Sequence, residues 1–335
     1  MNRTSRIFVA GHRGLAGSAI CRCLRRAGFH NLILRGREEL DLLEGAAVRD
    51  FFATEQPEYV FLAAARVGGI LANSTRPAEF IYENLAIEIN VIAAAQRSNV
   101  TKLQFLGSSC IYPKFAPQPI KEEYLLTGPI EPTNEWYAIA KIAGIKLAQA
   151  FRQQYGFHAI SLMPTSLYGP GDNFDLMSSH VVPALIRKFH EAKVQGAPEV
   201  VIWGSGSPMR EFLHVDDMAD AAVFLMQNYD DGEIINVGTG KDVTIRELAG
   251  MVAEVVGYQG ALQFDTSKPD GTPRKLLDVS RLKALGWKPR IPLREGLAST
   301  YEWYKSAAVA QSVRGEWGRS DVPGLGKDRG PIQGR

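Results

Sequence analysis

The first half of the chain alternates short, almost wholly apolar runs with longer stretches of helical periodicity. Ile7–Ala10, Leu32–Leu34, Tyr59–Ala63, Lys102–Leu106 and Ala159–Pro164 read as strands, aliphatic or β-branched along their length rather than alternating with polar residues. Strands of that texture are buried on both faces, and each parallel return needs a helix-length crossover. The pattern therefore predicts an α/β fold with a doubly wound parallel sheet. After Gly171 the elements shorten to a helix over Val181–Lys193, a strand over Val200–Trp203, and a stretch Met209–Asp231 that turns helical after Val215. Asn236–Gly240 is turn chemistry ahead of a helix over Thr244–Val256, whose Thr244 and Glu247 have the spacing of a capping box.

This organises the chain into a nucleotide-binding domain over 1–170, with room for later segments to return to it, and a smaller C-terminal α/β substrate-binding lobe over 171–310. The stretch 311–335 is Gly-rich and poor in apolar residues, so a disordered tail is expected there. Over 335 residues, 45% hydrophobic and 22% charged, the composition is that of a globular protein able to bury a core without staples. A net charge of +2 is too weak to hold a polyanion by field alone, so nucleic acid is not an expected partner.

Three cysteines, Cys21, Cys23 and Cys110, form no CxxC and no disulfide framework, which suits a reducing, cytoplasmic setting. His12, His30, His158, His190 and His214 make no metal-like spacing, and no metal is expected. The early apolar run Ile7–Ala10 is shorter than a signal-peptide core of ~7–15 residues. The longest stretch free of charged side chains, Gln153 to Gly171, carries Pro164, Pro170 and polar residues, so no membrane span is expected either.

Chemistry enters where strand Ile7–Ala10 runs into Gly11, His12, Arg13, Gly14, Leu15, Ala16 and Gly17, followed by a helix-like stretch to Ala27. In this GxxGxxG turn Gly11 permits the tight bend, Gly14 lets a diphosphate approach the backbone, and Gly17 lets helix and strand close on each other. The helix's free N–H groups then favour the anion. A dinucleotide is expected in a Rossmann-type site, the plain alternative being a structural loop. Where the second strand ends, an NAD enzyme commonly places an acid on the ribose 2′-hydroxyl. Here stand Arg35, Gly36 and Arg37, with Arg13 nearby in the glycine turn, a cationic set that suits the 2′-phosphate of NADP(H). Glu38 and Glu39 keep the NAD reading open.

Tyr137 and Lys141 are four residues apart and share one helix face. An ammonium beside a phenol stabilises phenolate, so Tyr137 is expected below its ordinary ~10 and suited to protonate a ketone that is receiving hydride. Ser108 follows directly on strand Lys102–Leu106, at the edge where ligands bind, and can share the substrate oxygen with Tyr137. The plain alternatives are a surface lysine next to a half-buried tyrosine, and a serine capping a strand end.

Through Gly11, Gly14, Gly17, Ser108, Tyr137 and Lys141 the chain resembles the extended short-chain dehydrogenase/reductases. Gly68–Ile70, Gly107–Pro113, Glu131–Glu135, Ala140–Gly144, Pro208–Asp217 and Lys268–Lys275 extend the resemblance to their GDP-L-fucose synthase branch, over residues 7 to about 305. The resemblance implies a bifunctional NADPH-dependent epimerase-reductase acting on GDP-4-keto-6-deoxy-D-mannose. It also implies a homodimer built on helices around Phe80–Arg97 and Asn134–Tyr155. Inversion at C3 and C5, both acidified by the C4 ketone, needs a base and an acid titrating near neutrality. A thiol and an imidazole qualify, at ~8.5 and ~6.5. The resemblance makes Cys110 the base and His180 the acid. Without it, Cys110 would read as a buried structural thiol and His180 as a helix-start residue, as Cys21 and Cys23 read as packing.

By the same resemblance, His12, Arg13, Leu15, Ala16, Arg37, Asp41 and Leu42 join the glycines around the adenosine half of the cofactor. Leu106, Gly107, Ser108, Lys141, Pro164, Thr165, Leu167 and His180 line the remainder. Lys188, Trp203, Arg210 and Asp270 hold the GDP end of the substrate. Lys188 stands where relatives also carry arginine, a point charge in place of a bidentate fork. Trp203 could equally be core, and Arg210 could pair with Glu211 or Asp216. Two rivals remain. One is a nucleotide-sugar 4-epimerase or dehydratase, though dehydratases of this kind typically carry Thr-Asp-Glu where this chain has Ser108, Ser109 and Cys110. The other is a catalytically silent NADP-binding regulatory protein, which intact Ser108, Tyr137 and Lys141 argue against.

Overall fold

The computed structural model describes residues 1–176, 178–268 and 270–313. In chain order its strands are β1 (Ile7–Ala10), β2 (Leu32–Ile33), β3 (Tyr59–Leu62), β4 (Lys102–Leu106), β5 (Ala159–Pro164), β6 (Ser166–Tyr168), β7 (Glu199–Trp203), β8 (Met209–His214), β9 (Ile235–Val237), β10 (Asp242–Thr244), β11 (Ala261–Asp265) and β12 (Arg274–Lys275). The helices are α1 (Leu15–Arg26), α2 (Gly45–Glu55), α3 (Ile70–Thr75), α4 (Pro77–Arg97), α5 (Glu135–Tyr155), α6 (Val181–Gln195), α7 (Val215–Asn228), α8 (Ile245–Val256), α9 (Ser280–Ala284) and α10 (Leu293–Val313).

The six-stranded sheet runs β2-β1-β3-β4-β5-β9, and every pairing in it is parallel. Its strands are buried through both faces, β1 and β4 along their whole length, as their unbroken apolar sequence requires. On one face Ile20 and Leu24 of α1 join Met218 and Leu225 of α7 over Ile7 and Val9. On the other, Val48 and Phe52 of α2, Val91 and Ile92 of α4 and Ile145 of α5 cover Phe8 and Phe105. The fold is thus the expected Rossmann-type doubly wound sheet. The strand order turns back at β1, so the crevice beyond the C-terminal ends of β1 and β3 is where such sheets bind ligands.

A second core forms from α6, α8 and α10 around Phe189, Phe212, Leu248, Val252 and Leu297. Beside it lie the small sheet β10-β8-β12, to which β6 adds on β8, and the parallel pair β11-β7. The span 171–310 is not a lobe of its own throughout: α7 and β9 return to the large sheet, and Leu282 of α9 is buried in the same core. Thr244 caps α8 and both bonds of the capping box with Glu247 are made.

One expected turn is a strand. Asn236 and Val237 lie in β9, in register with Met163 and Pro164 of β5, and the chain turns only from Gly238. Asparagine disfavours strands, but here its side chain is satisfied in the interior. Its Oδ1 accepts from the Tyr112 hydroxyl at 2.6 Å, and its Nδ2 donates to the carbonyls of Ile120 at 2.9 Å and Asp278 at 3.0 Å. The expected tail boundary at Gln311 falls inside α10, and the rest of that tail, 314–335, lies outside the described residues. Among the described residues no helix is long and apolar enough to cross a membrane.

Candidate active site

The glycine turn is built as its spacing requires. Gly11 takes φ +82°, and a Cβ there would meet Ala64 N at 2.7 Å; at Gly17 it would meet Gly11 O at 2.1 Å. Helix α1 starts at Gly14 with no capping side chain and no acid in its first turn, which leaves the leading N–H groups for an anion. The turn therefore fits a dinucleotide diphosphate. The cations expected for the 2′-phosphate are only partly in place. Arg13 pairs with Glu38 at 2.6 Å in solvent, and Arg37 Nε donates to Asp41 Oδ2 at 3.4 Å. Arg35 is engaged elsewhere: its guanidinium donates to Leu34 O and to the Glu55 carboxylate of α2. Asp41 also accepts from Leu43 N at 3.1 Å, and Leu42 O accepts from Asn90 at 2.9 Å. Burial, ahead of the neighbouring Arg13 charge, lowers the imidazole of His12.

At the end of β4, Gly107 N is tied to Leu162 O at 2.9 Å and Ser108 caps a short 3-10 turn, its Oγ accepting from Cys110 N at 3.2 Å. The same hydroxyl lies within hydrogen-bonding reach of the Tyr137 phenol and the Cys110 thiol. The capping alternative and the chemical reading of Ser108 thus hold together. On α5, Lys141 is buried with Tyr137 one turn away. Its Nζ donates to Leu106 O at 3.0 Å and lies 3.1 Å from Glu88 Oε1, 4.6 Å from the Phe105 ring centre and 5.8 Å from that of Tyr137.

This corrects the expectation for Tyr137. Burial pushes its phenol well above the ordinary value, the negative charges of Cys110 and Glu88 add to that, and only the Ser108 hydrogen bond opposes it. The Lys141 ammonium, paired with Glu88 of α4, is not among the charges that act on the phenol.

Cys110 is half-buried. Burial alone would push its thiol up, but Lys275, whose Nζ donates to Sγ at 3.4 Å, then Ser108 and more distantly Arg210, bring it below the ordinary value. His180 is the N-cap residue of α6. The residue is exposed, and desolvation by the surrounding protein, then the Lys275 charge, lower its imidazole. One ammonium therefore acts on both groups. Cys21 and Cys23 are buried in the core beside α7, and burial pushes Cys21 up to about 11 and raises Cys23 as well.

Farther out, Trp203 is 68% exposed, which removes the core alternative for it. Lys188 Nζ donates to Val201 O at 3.2 Å and stands 5.6 Å from the Trp203 ring, with Lys268 at 5.7 Å. Arg210 pairs with neither suggested acid. Glu211 instead accepts from Thr239 N at 2.6 Å, Gly240 N at 2.7 Å and Leu277 N at 3.0 Å, and Asp216 takes Arg22 at 2.7 Å. Asp270 is held below the ordinary carboxylate value by Ser205, which donates from Oγ at 2.7 Å and from N at 2.9 Å, and by the Arg210 charge. Pro164 ends β5, Thr165 N bonds Val237 O at 3.0 Å, and Leu167 lies half-buried in β6.

Two residues of the cluster were not anticipated. Lys275 lies in a segment that carried the family resemblance but had no role attached. Glu88 had a visible signal, a charge in the buried stripe Phe80, Asn84, Glu88, Val91, Ile92, Ala95 of α4. Among the described residues no group of three or more His, Cys, Asp or Glu could hold a metal ion.

Residues 7–238 match the model of the NAD dependent epimerase/dehydratase family. The chain belongs to that family. Within it, the chain is 64% identical over 310 residues to a protein of Oryza sativa subsp. japonica described as probable GDP-L-fucose synthase 1, covering 92% of this chain and 94% of that one. It is 60% identical over 308 residues to the GDP-L-fucose synthase of Escherichia coli (strain K12), covering 89% and 96%. Among solved structures, a GDP-6-OMe-4-keto-L-xylo-heptose reductase from C. jejuni superposes with a TM-score of 0.88 at 42% identity, over 92% and 99% of the two chains. A GDP-L-fucose synthetase from Naegleria fowleri bound to NADP superposes at 0.86 and 26% identity, over 92% and 96%.

Proposed function

We propose that the protein converts GDP-4-keto-6-deoxy-D-mannose to GDP-L-fucose, inverting C3 and C5 and then reducing C4 with NADPH. The observation that carries the reading is the Cys110 thiol, lowered by Lys275 at 3.4 Å and sharing the Ser108 hydroxyl with Tyr137. A reductase alone has no use for a thiolate beside its proton donor, whereas an epimerase must lift protons from carbons next to the ketone.

Cys110 as thiolate accepts the proton from C3 or C5, and His180 returns one from the opposite side. In the free site His180 is biased to its neutral form. The residue is exposed, so its ring draws from solvent the proton that it delivers. Ser108 and Tyr137 donate to the C4 oxygen and stabilise both the enolate and the later alkoxide, so one preorganised pair serves two reactions. Bound NADPH supplies the hydride to C4. The Gly11–Gly17 turn, with Arg13 and Arg37 once released from their carboxylates, holds its phosphates, and Lys141 holds the nicotinamide ribose. Lys188, Trp203, Arg210 and Asp270 take the GDP end.

The protein acts as a cytoplasmic homodimer in this reading. Its free cysteines suit a reducing compartment, and the exposed Tyr82 and Ile89 of α4 and Trp136 and Ile139 of α5 supply the apolar surface of a helix bundle. The test is incubation with GDP-4-keto-6-deoxy-D-mannose and NADPH, with NADH in parallel, and identification of the product. GDP-L-fucose with net NADPH consumption supports the proposal. A mannose-configured alcohol as sole product would make the protein a reductase only, the activity named for the C. jejuni relative.

A further inference from the structure

Glu88 has no part in the chemistry described so far, yet the structure keeps a charge where a hydrophobic residue would pack as well. It sits in the α4 stripe that meets α5, 1% exposed, with Oε1 3.1 Å from Lys141 Nζ, itself 2% exposed. Beyond that ion contact neither carboxylate oxygen receives an aligned hydrogen bond among the described residues. A buried pair so poorly supplied with hydrogen bonds is weak evidence for stability, since desolvation costs about several kcal/mol per ion. Space has been left for it all the same. At Gly144, one turn along α5 from Lys141, a Cβ would lie 2.6 Å from Glu88 Oε2 and 2.7 Å from Phe105 Cζ.

Resting on the ketone reduction proposed above, we propose that Glu88 is a positioning residue that holds the Lys141 ammonium at the Leu106 carbonyl and offsets its charge, so that Tyr137 keeps its proton until C4 is reduced. A neutral phenol is what both stages need. During exchange at C3 and C5 it donates a hydrogen bond to the enolate oxygen, which a phenolate would repel. During reduction the C4 carbon gains hydride as NADPH is oxidised, the Tyr137 O–H bond breaks, the proton forms the C4 hydroxyl, and solvent reprotonates the phenolate afterwards.

The charges facing Tyr137 agree with this. Cys110 and Ser108 come from the turn after β4, Glu88 from α4 and Lys141 from its own helix, while Lys275 of β12 and Arg210 of β8 act on Cys110. Lys141 Nζ lies 5.8 Å from the centre of the phenol ring and 3.1 Å from Glu88 Oε1; burial raises the Glu88 carboxyl and the Lys141 charge opposes that. Removing Glu88 takes a negative charge from beside the phenol and leaves the ammonium unpaired 5.8 Å from the ring centre.

The test places a fluorinated tyrosine at position 137, whose phenol is intrinsically more acidic, and follows it by fluorine NMR across pH in the full-length protein. The Glu88→Gln variant should bring the midpoint down by roughly one to two pH units, up to about a hundredfold in the phenolate constant. Glu88→Asp, which withdraws the carboxylate without removing it, should move it less in the same direction. It also carries the test if Glu88→Gln does not fold. The alkaline limb of kcat for ketone reduction should fall in parallel, with the KM for the GDP-sugar little changed. A folded variant whose midpoint stays at the unsubstituted protein's value overturns the proposal, because a purely structural role would alter stability without moving the titration. The NMR reading needs no turnover. An unsubstituted protein inactive on the GDP-sugar would therefore count against the function while leaving the role of Glu88 to be decided by the titration.

Discussion

Lys275→Met tests the central electrostatic claim directly. Lys275 Nζ lies 3.4 Å from Cys110 Sγ. At that separation a charge pair is worth about 5 kcal/mol at an effective dielectric of ~20 and about 1 kcal/mol in bulk water. Both side chains are half-buried, so solvent screening places the interaction in the lower part of that range. A shift of roughly one to two pH units follows, or about a tenfold to hundredfold loss of thiolate at neutral pH. The sign is that of a depressed acid: in the unsubstituted protein thiolate persists to lower pH, and it is lost as pH falls through the lowered value. Methionine keeps the length and removes the charge, so the acid limb must move up. The assay is the rate of iodoacetamide alkylation at Cys110 against pH, read by mass spectrometry of the peptide. Cys21 and Cys23 are buried and raised, and contribute little background. Solvent-deuterium exchange at C3 and C5 should slow by about tenfold or more, following the thiolate fraction. An alkylation midpoint indistinguishable from that of the unsubstituted protein would refute the reasoning, leaving Ser108 and Arg210 as the groups that lower the thiol.

Four other outcomes follow from the geometry. Cys110→Ser should abolish deuterium exchange at C3 and C5 while leaving ketone reduction measurable by NADPH oxidation; exchange at the original rate would remove Cys110 from the mechanism. Gly17→Ala places a Cβ 2.1 Å from Gly11 O, a backbone atom that cannot move cheaply, so NADPH affinity by fluorescence titration should fall more than about tenfold. Glu211→Gln turns an amide donor towards the N–H groups of Gly240 or Leu277 in a fully buried site, and should cost about 2–4 kcal/mol in urea unfolding. Ile89→Asp, on the exposed face of α4, should shift the proposed dimer to monomer in sedimentation equilibrium, and an unchanged mass would place the interface elsewhere.

What could be read in advance divides along a physical line. The sheet and the glycine turn were legible because they are local: an unbroken apolar run means a strand buried on both faces, and Gly11 and Gly17 are required by close approaches within one βα unit. β9 was misread for the complementary reason. Asn236 looks like a turn residue until Tyr112, Ile120 and Asp278 arrive from distant parts of the chain to satisfy it. Arg35 was misread because its partner, Glu55, lies on a helix whose direction the local sequence does not reveal.

The site shows the same limit in its electrostatics. Ser108, Cys110, Tyr137 and Lys141 could be placed together from motif and spacing, but a pKa belongs to assembled neighbours rather than to a motif. The spacing of Tyr137 and Lys141 argues for a lowered phenol, and burial reverses that argument, with the charges of Cys110 and of Glu88 from α4 adding to it. Cys110, by contrast, looks like an ordinary thiol in its own segment, and is lowered chiefly because β12 sets Lys275 beside it, with Ser108 and Arg210 adding to the effect. The two cations therefore have opposite local fates. The one on α5 is paired with Glu88, and the one on the small sheet has no carboxylate at ion-pair distance among the described residues and donates to the cysteine instead. In the proposed reaction that difference lets proton removal by Cys110 and proton delivery by Tyr137 coexist around a single ketone, because the fold gives a carboxylate partner to one lysine and a thiol to the other.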